Sequence, residues 1–375
     1  MKLPRSELVA RLLLVGTSVS LALLAVEVFL RVDNRHPQLD LARVELNGRR
    51  YAFHETESAL ADYENGVVFL GDSFTAGWNC SIPQTFTSRF GELIGAQSQL
   101  HAVNMGVPGY DAFNYLTLGR DLLAEAKPAH VVIVLYLNDM EPGCEMCRYL
   151  REVVETPDGA ATPGFARASC ERCGMAPRAA EAGTAESGTV ESAMARPNRA
   201  QVAQGVFRRI HRAISGRSLT YLVLKDAVAI SLIRLGVDLQ WGQTAYPTWW
   251  RQTDDGHFRL LAAGLTLLKR DLQSAGVGLT VLIYPDPTAL IDSNPYVDIL
   301  EGAASALEQR LGVTVRSGYS AFLGNEAAES DMYHSIADRH PSCAAHRLFG
   351  EWAYAVVSED LRRAAVQSTP ALVDR

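Results

Sequence analysis

A serine hydroxyl attacks a carbonyl carbon only when a neighbouring base takes its proton and fixed donors hold the charge that builds on the substrate oxygen. The sequence offers the parts for this at distant places. Ser73 follows the apolar run Val67-Val68-Phe69-Leu70, which ends abruptly at Gly71-Asp72-Ser73 and gives way to a helix-like segment after Gly77. Such a run reads as a buried strand of a parallel sheet. The Ser73 hydroxyl is then expected at the carboxyl edge of that sheet, where open α/β sheets place their chemistry. An ordinary strand-to-turn junction with a capping serine would read the same from this stretch alone.

The remaining parts also fall at element edges. His340, in Asp338-Arg339-His340-Pro341-Ser342, is the candidate general base, just ahead of a helix expected over 343–365. Asp338 is the candidate for orienting and charge-stabilising that imidazole. Candidate oxyanion donors are the Ser73 N–H, the Gly109 N–H in Gly106-Val107-Pro108-Gly109, and the Asn138 side chain after the strand Val131–Tyr136. Gly109 also fits a plain strand-to-helix turn, and Asn138 a turn-forming asparagine.

These residues need a scaffold. Strands are expected at 67–70, 101–105, 131–136, 279–284 and 312–315. Helices are expected at 85–97, 111–123, 258–274, 296–311 and 343–365. Strands alternating with helices argue for a doubly covered parallel sheet. Residues 140–200 interrupt this rhythm, and their part from 174 onward is rich in Ala, Gly, Ser, Thr and Glu without periodicity, which reads as a disordered loop. Trp241, Tyr246, Trp249 and Trp250 cluster further on and suit core or lid packing, or else an acyl or sugar pocket.

Four blocks in order make the sequence resemble the SGNH (GDSL-type) hydrolase superfamily, as a membrane-anchored, bacterial-type member. They are Gly71-Asp72-Ser73-Phe74-Thr75-x-Gly77, Asn104-x-Gly106-x-x-Gly109, Asn138-Asp139 and Asp338-x-His340-Pro341. The resemblance spans about residues 66–366. It implies a three-layer α/β/α flavodoxin-like fold and ester hydrolysis or acyl transfer without a cofactor. It places Gly109 in the oxyanion hole. The third block usually carries glycine where Tyr136 stands, which should reshape the oxyanion side of the pocket. Asp331-x-x-His334 matches the family's longer final spacing, yet Pro341-Ser342 opens a helix and gives His340 the firmer platform. His334 and His346 read as surface or helix histidines, and His54, His101 and His257 as structural.

The six cysteines follow. Cys80 lies seven residues past Ser73 and Cys343 three past His340, so a site assembled as above would bring them into disulfide reach. Cys144-x-x-Cys147 and Cys170-x-x-Cys173 flank Pro157-Asp158-Gly159, a hairpin signal. With Asp158 and Gly159 at the tip, Cys147 faces Cys170 and Cys144 faces Cys173. Two cross-strand disulfides suit an exported protein. A structural zinc site on the same four cysteines is the alternative.

Export is read from the first residues. Lys2, Arg5 and Arg11 precede a largely apolar stretch from Leu12 to Leu30 whose one charged residue is Glu27. Its 19 residues are enough to span a bilayer, and the flanking charges place the N-terminus in the cytoplasm. A cleaved signal peptide, with Ser20-Leu21-Ala22 as the cleavage site, competes with an uncleaved anchor. The organisation expected is a cytoplasmic tip and transmembrane signal-anchor (1–31), a stalk and surface segment (32–65), a hydrolase domain (66–366) and a tail (367–375). With a net charge of −7 over 375 residues and no basic patch, nucleic acid is not an expected partner. The expected function is a serine esterase or O-acyltransferase forming an acyl-serine on an exported small ester or acylated polysaccharide. The alternative is a non-catalytic envelope protein that binds through the cysteine hairpin or the tryptophan cluster.

Overall fold

The computed structural model describes residues 5–33, 39–136, 139, 220–221, 224, 228, 256–285, 296–322, 332–335 and 338–368. The pairs Cys144/Cys147 and Cys170/Cys173, the tryptophan cluster, Asp331 and Asn138 lie outside the described residues. The chain divides into two compact units, one containing the N-terminal helix and the other the parallel sheet.

In the first unit, helix α1 (Arg5–Asp33) contains the one described helix long and apolar enough to cross a membrane, over the 19 residues Leu14–Val32. At 1.5 Å per residue that stretch is about 28 Å long, close to a hydrocarbon core. Its side chains from Leu14 to Val28 are exposed almost throughout. Glu27 is not bare: its carboxylate accepts Arg31 Nε at 2.9 Å and the Thr220 backbone N–H at 2.9 Å.

The second unit is built on five parallel strands: β3 (Gly66–Gly71), β4 (His101–Gly106), β5 (His130–Leu135), β6 (Gly278–Ile283) and β7 (Val315–Ser317). Their spatial order is β4-β3-β5-β6-β7. The chain leaves β3 to one side, then returns past it to β5. The carboxyl end of β3 is therefore the topological switch point, and Ser73 follows it. All six residues of β3 and all six of β5 are buried, which explains their unbroken apolar runs.

Alternate strand residues feed two cores, as the two-residue period of a strand requires. Val68, Leu70, Val131, Ile133 and Val281 face a core completed by α5 (Ala112–Glu125), α6 (Gly256–Ser274) and α7 (Tyr296–Leu311). Val67, Phe69, Val132, Val134 and Leu282 face the other, closed by α4 (Phe86–Gly95) and α8 (Cys343–Ser368). There Phe69 meets Phe86 and Phe90 edge-on, with centroids 5.5 and 4.9 Å away. Each such ring contributes about 1.5–3 kcal/mol by leaving water. The architecture is the α/β layering with a parallel sheet that the alternating pattern predicts.

One local reading is corrected and another is narrowed. The segment read as stalk and surface holds a hairpin, β1 (Ala42–Leu46) with β2 (Arg49–Phe53), followed by the single turn α2 (Glu57–Leu60). Leu46, Tyr51 and Phe53 are buried in the first core. Asn47 and Gly48 form the hairpin tip with φ of 50° and 72°, a pairing for which Asn-Gly is the strongest short-range signal. Of the surface and helix readings of His346, the helix one holds. The residue is fully buried on α8, stacked on Phe86 at 5.8 Å, and accepts the Phe86 N–H at 3.3 Å.

Candidate active site

Ser73 opens the single helical turn α3 (Ser73–Ala76). Asp72 caps that turn, its Oδ1 accepting the Phe74 N–H at 2.8 Å. Gly77 ends it with φ +73°, a left-handed position that glycine takes without strain. Chain crossing is tight here. A β-carbon on Gly71 would overlap the Thr75 hydroxyl, and one on Gly106 would overlap the Ala76 amide nitrogen. The two glycines therefore let the Ser73 turn settle onto the ends of β3 and β4.

Polar groups fix the turn from beneath. Asn104 Nδ2 donates to the Thr75 carbonyl at 2.9 Å and to Thr87 Oγ1 at 3.1 Å, while its Oδ1 accepts the Gly106 N–H at 3.0 Å. His54 Nδ1 donates to the Ala76 carbonyl at 2.7 Å. Glu55 Oε2 accepts the Asn104 N–H at 2.9 Å. A strand amide cannot give to both a ladder partner and a side chain, so this carboxylate caps β4 on its free edge. His54 and Glu55 carry no motif in sequence; their roles come from the hairpin that delivers them.

His340 lies on β9 (Asp338–Pro341), which pairs with β8 (Tyr333–Ser335) in a two-stranded ribbon just ahead of α8. Its Nε2 is 2.8 Å from Ser73 Oγ, across 267 residues of chain. The imidazole lies beside two aromatic rings, Phe74 at 5.3 Å and Trp78 at 5.9 Å. Ser73 and His340 are both half-buried. Cys80 and Cys343 are bonded. Asp338 opens β9, with its side chain outside the described residues.

Gly109 is exposed, with φ +80° and open space where a β-carbon would stand. The Tyr110 N–H donates to the Val107 carbonyl at 3.1 Å. Val107-Pro108-Gly109-Tyr110 is therefore a turn with proline at its second position and left-handed glycine at its third, as type II geometry requires. This turn starts one residue beyond Gly106, the residue paired with Gly71.

Behind the turn after β5, Asp139 is fully buried. Tyr115 Oη donates to it at 2.8 Å and the Tyr136 N–H at 2.6 Å. Burial, with Asp72 nearby, pushes the Asp139 carboxyl well above the usual range. The Tyr115 hydroxyl is also pushed well up, by burial first and then by Asp139 and Asp72. Tyr136, where the resembled family carries glycine, lays its ring on Phe74 with centroids 3.8 Å apart. It thus covers the flank of the residue that follows Ser73. Among the described residues there is no group of three or more His, Cys, Asp or Glu side chains placed to hold a metal ion.

No family model matches the chain, and no curated protein matches it. Among solved structures the chain is similar to TesA, at 16% identity and a TM-score of 0.37, over 77% of this chain and 97% of that one. It is similar to the psychrotrophic esterase EstA from Pseudoalteromonas sp., at 14% identity and a TM-score of 0.40, over 80% and 100% of the two chains. It is also similar to a lipolytic protein of the G-D-S-L family from Desulfitobacterium hafniense DCB-2, at 14% identity and a TM-score of 0.35, over 78% and 99%.

Proposed function

We propose that this chain is a serine esterase or O-acyltransferase of SGNH type. The observation that carries the reading is the 2.8 Å approach of His340 Nε2 to Ser73 Oγ at the switch point of the sheet. A nucleophile and base within hydrogen-bond reach are the geometric minimum for acyl transfer. Ser73 Oγ attacks the ester carbonyl carbon as its proton passes to His340 Nε2. The carbonyl oxygen becomes an oxyanion, held by the N–H groups of Ser73 and Gly109 and the Asn138 amide. Collapse breaks the bond to the alcohol, which leaves with the proton from His340. Water or a second alcohol, deprotonated by His340, then releases the acyl group and restores Ser73. Asp338 is assigned to the other imidazole nitrogen. The chemistry needs no cofactor.

The apolar span of α1, with Lys2, Arg5 and Arg11 ahead of it, supports a cytoplasmic N-terminus and an exported site. The substrate is then an exported ester, with acylated envelope polysaccharide the class that fits this location.

Turnover of p-nitrophenyl acetate tests the reading. Ser73→Ala should lower kcat/KM by at least about 1,000-fold, and a fluorophosphonate should label the wild type and not this variant. Equal rates in the two proteins would leave a binding role instead.

A further inference from the structure

We propose that Trp78 is a positioning residue for His340. Its indole holds the imidazole facing Ser73 and favours the imidazolium that forms when His340 takes the serine proton. This rests on the hydrolase reading above.

The two rings stack with centroids 5.9 Å apart and planes 26° apart. An aromatic face attracts a cation placed over it, so the stack gains strength at the moment His340 becomes charged. Such a contact acts on the transition state more than on the resting enzyme, which is the condition for raising kcat.

The chain delivers Trp78 to this place by specific means. Gly77 turns left-handed directly after α3, and the Trp78 N–H donates to the carbonyl of Ser73 itself at 3.2 Å. A β-carbon on Gly77 would run into the Thr85 side chain, so the turn is confined as well as permitted. Two residues on, Cys80 is bonded to Cys343, three residues past His340. Indole and imidazole are therefore tied to each other from both sides of the contact.

Core packing does not account for the tryptophan. Phe74 belongs to the buried cluster beneath the site, where it meets Tyr284, which in turn meets Phe349. Trp78 belongs to neither buried cluster and is half-exposed.

The test compares Trp78→Leu, which keeps apolar bulk and loses the aromatic face, with Trp78→Phe, which keeps a smaller face. On p-nitrophenyl acetate the leucine variant should lose kcat roughly ten-fold with KM changed less than about two-fold, and phenylalanine should restore much of the loss. A rise in KM with kcat unchanged would make Trp78 a wall of the substrate pocket and overturn the proposal. So would a phenylalanine variant no better than leucine. If the leucine variant does not fold, Trp78→Met against Trp78→Phe carries the same comparison. A second readout does not depend on turnover. The His340 Hε1 proton, assigned by its loss in His340→Gln, should move downfield when the indole above it is removed. An unmoved resonance overturns the proposal whatever the activity. An inactive wild type with a shifted resonance would sink the hydrolase reading and leave the stack standing.

Discussion

Cys80 and Cys343 are covalently joined, with Cα atoms 5.6 Å apart across 263 residues of sequence. The segment that follows Ser73 and the helix that follows His340 are thus one piece, and the bond holds together the two parts of the site that lie farthest apart in the chain. Replacing both cysteines by serine should lower unfolding stability by about 2–4 kcal/mol, because the denatured chain regains the freedom of a long loop. Urea midpoints of the two proteins under oxidising conditions measure this. Coincident curves would mean that the packing of α4 on α8 suffices.

Gly106→Ala should damage catalysis more than stability. The new β-carbon would meet backbone atoms of Thr75 and Ala76, which have no rotamer to escape into. Overpacking of this kind costs about 1–3 kcal/mol. Displacing the Ser73 turn by about an ångström costs roughly 100-fold in rate. Gly302→Ala on α7 is the matched control. It is exposed, nothing stands within 4 Å of its new β-carbon, and the helix should gain about 0.5–1 kcal/mol. Denaturation curves and kcat for both variants check this; comparable activity in the two would show that the turn can shift without cost.

Tyr115→Phe removes the hydroxyl that donates to Asp139 at 2.8 Å inside the core. The buried carboxyl then keeps the Tyr136 N–H and loses the Tyr115 hydroxyl, a cost of about 1–3 kcal/mol. Because the Asp139 carboxyl also accepts the Tyr136 N–H at 2.6 Å, the end of β5 should loosen and kcat should fall with it. Chemical denaturation and steady-state rates on one preparation measure both effects. Full activity in the variant would separate Asp139 from the site.

Stability should fall on mild acidification. Burial pushes the His130 imidazole down to about 4 and that of His346 down to about 3, against about 6.5 in an unfolded chain. Both are neutral when folded, so their contribution is complete above pH 6.5 and is lost as pH falls from there toward 4 and 3. At pH 5 each has lost about 2 kcal/mol. Thr280 donates its hydroxyl hydrogen to Asp360 at 2.6 Å, so its oxygen accepts from His130 Nε2–H at 2.8 Å. His130→Gln keeps a donor at that position, and His346→Asn keeps an acceptor for the Phe86 N–H, without titrating. Urea midpoints at pH 7 and pH 5 should converge in these variants relative to the wild type. An unchanged slope would mean that other groups govern the acid limb.

Much of the framework was legible along the chain. Short unbroken apolar runs rich in β-branched residues, such as 131–135, read as strands buried on both faces, and their bounds agree with the sheet within a residue or two. The exception among the sheet strands is β7, read at 312–315 and found at Val315–Ser317. Its neighbour Val313 packs on the first core without joining the ladder, a distinction periodicity cannot make. The hairpin of β1 and β2 carries Asn47-Gly48 as its turn signal, yet it reads as a surface segment because polar residues crowd it and its buried set is Leu46, Tyr51 and Phe53.

For this protein the sequence alone determined the doubly covered parallel sheet, the apolar N-terminal span and the residue types able to perform acyl transfer, since these depend on local patterns of apolarity, charge and turn residues. Only the tertiary structure decided which distant groups meet. It brought His340 to Ser73, bonded Cys80 to Cys343, set Trp78 against the imidazole and buried His346 beneath Phe86. Such contacts depend on strand order and crossover, which arise from packing the whole sheet and leave no periodicity in the sequence on either side of the contact.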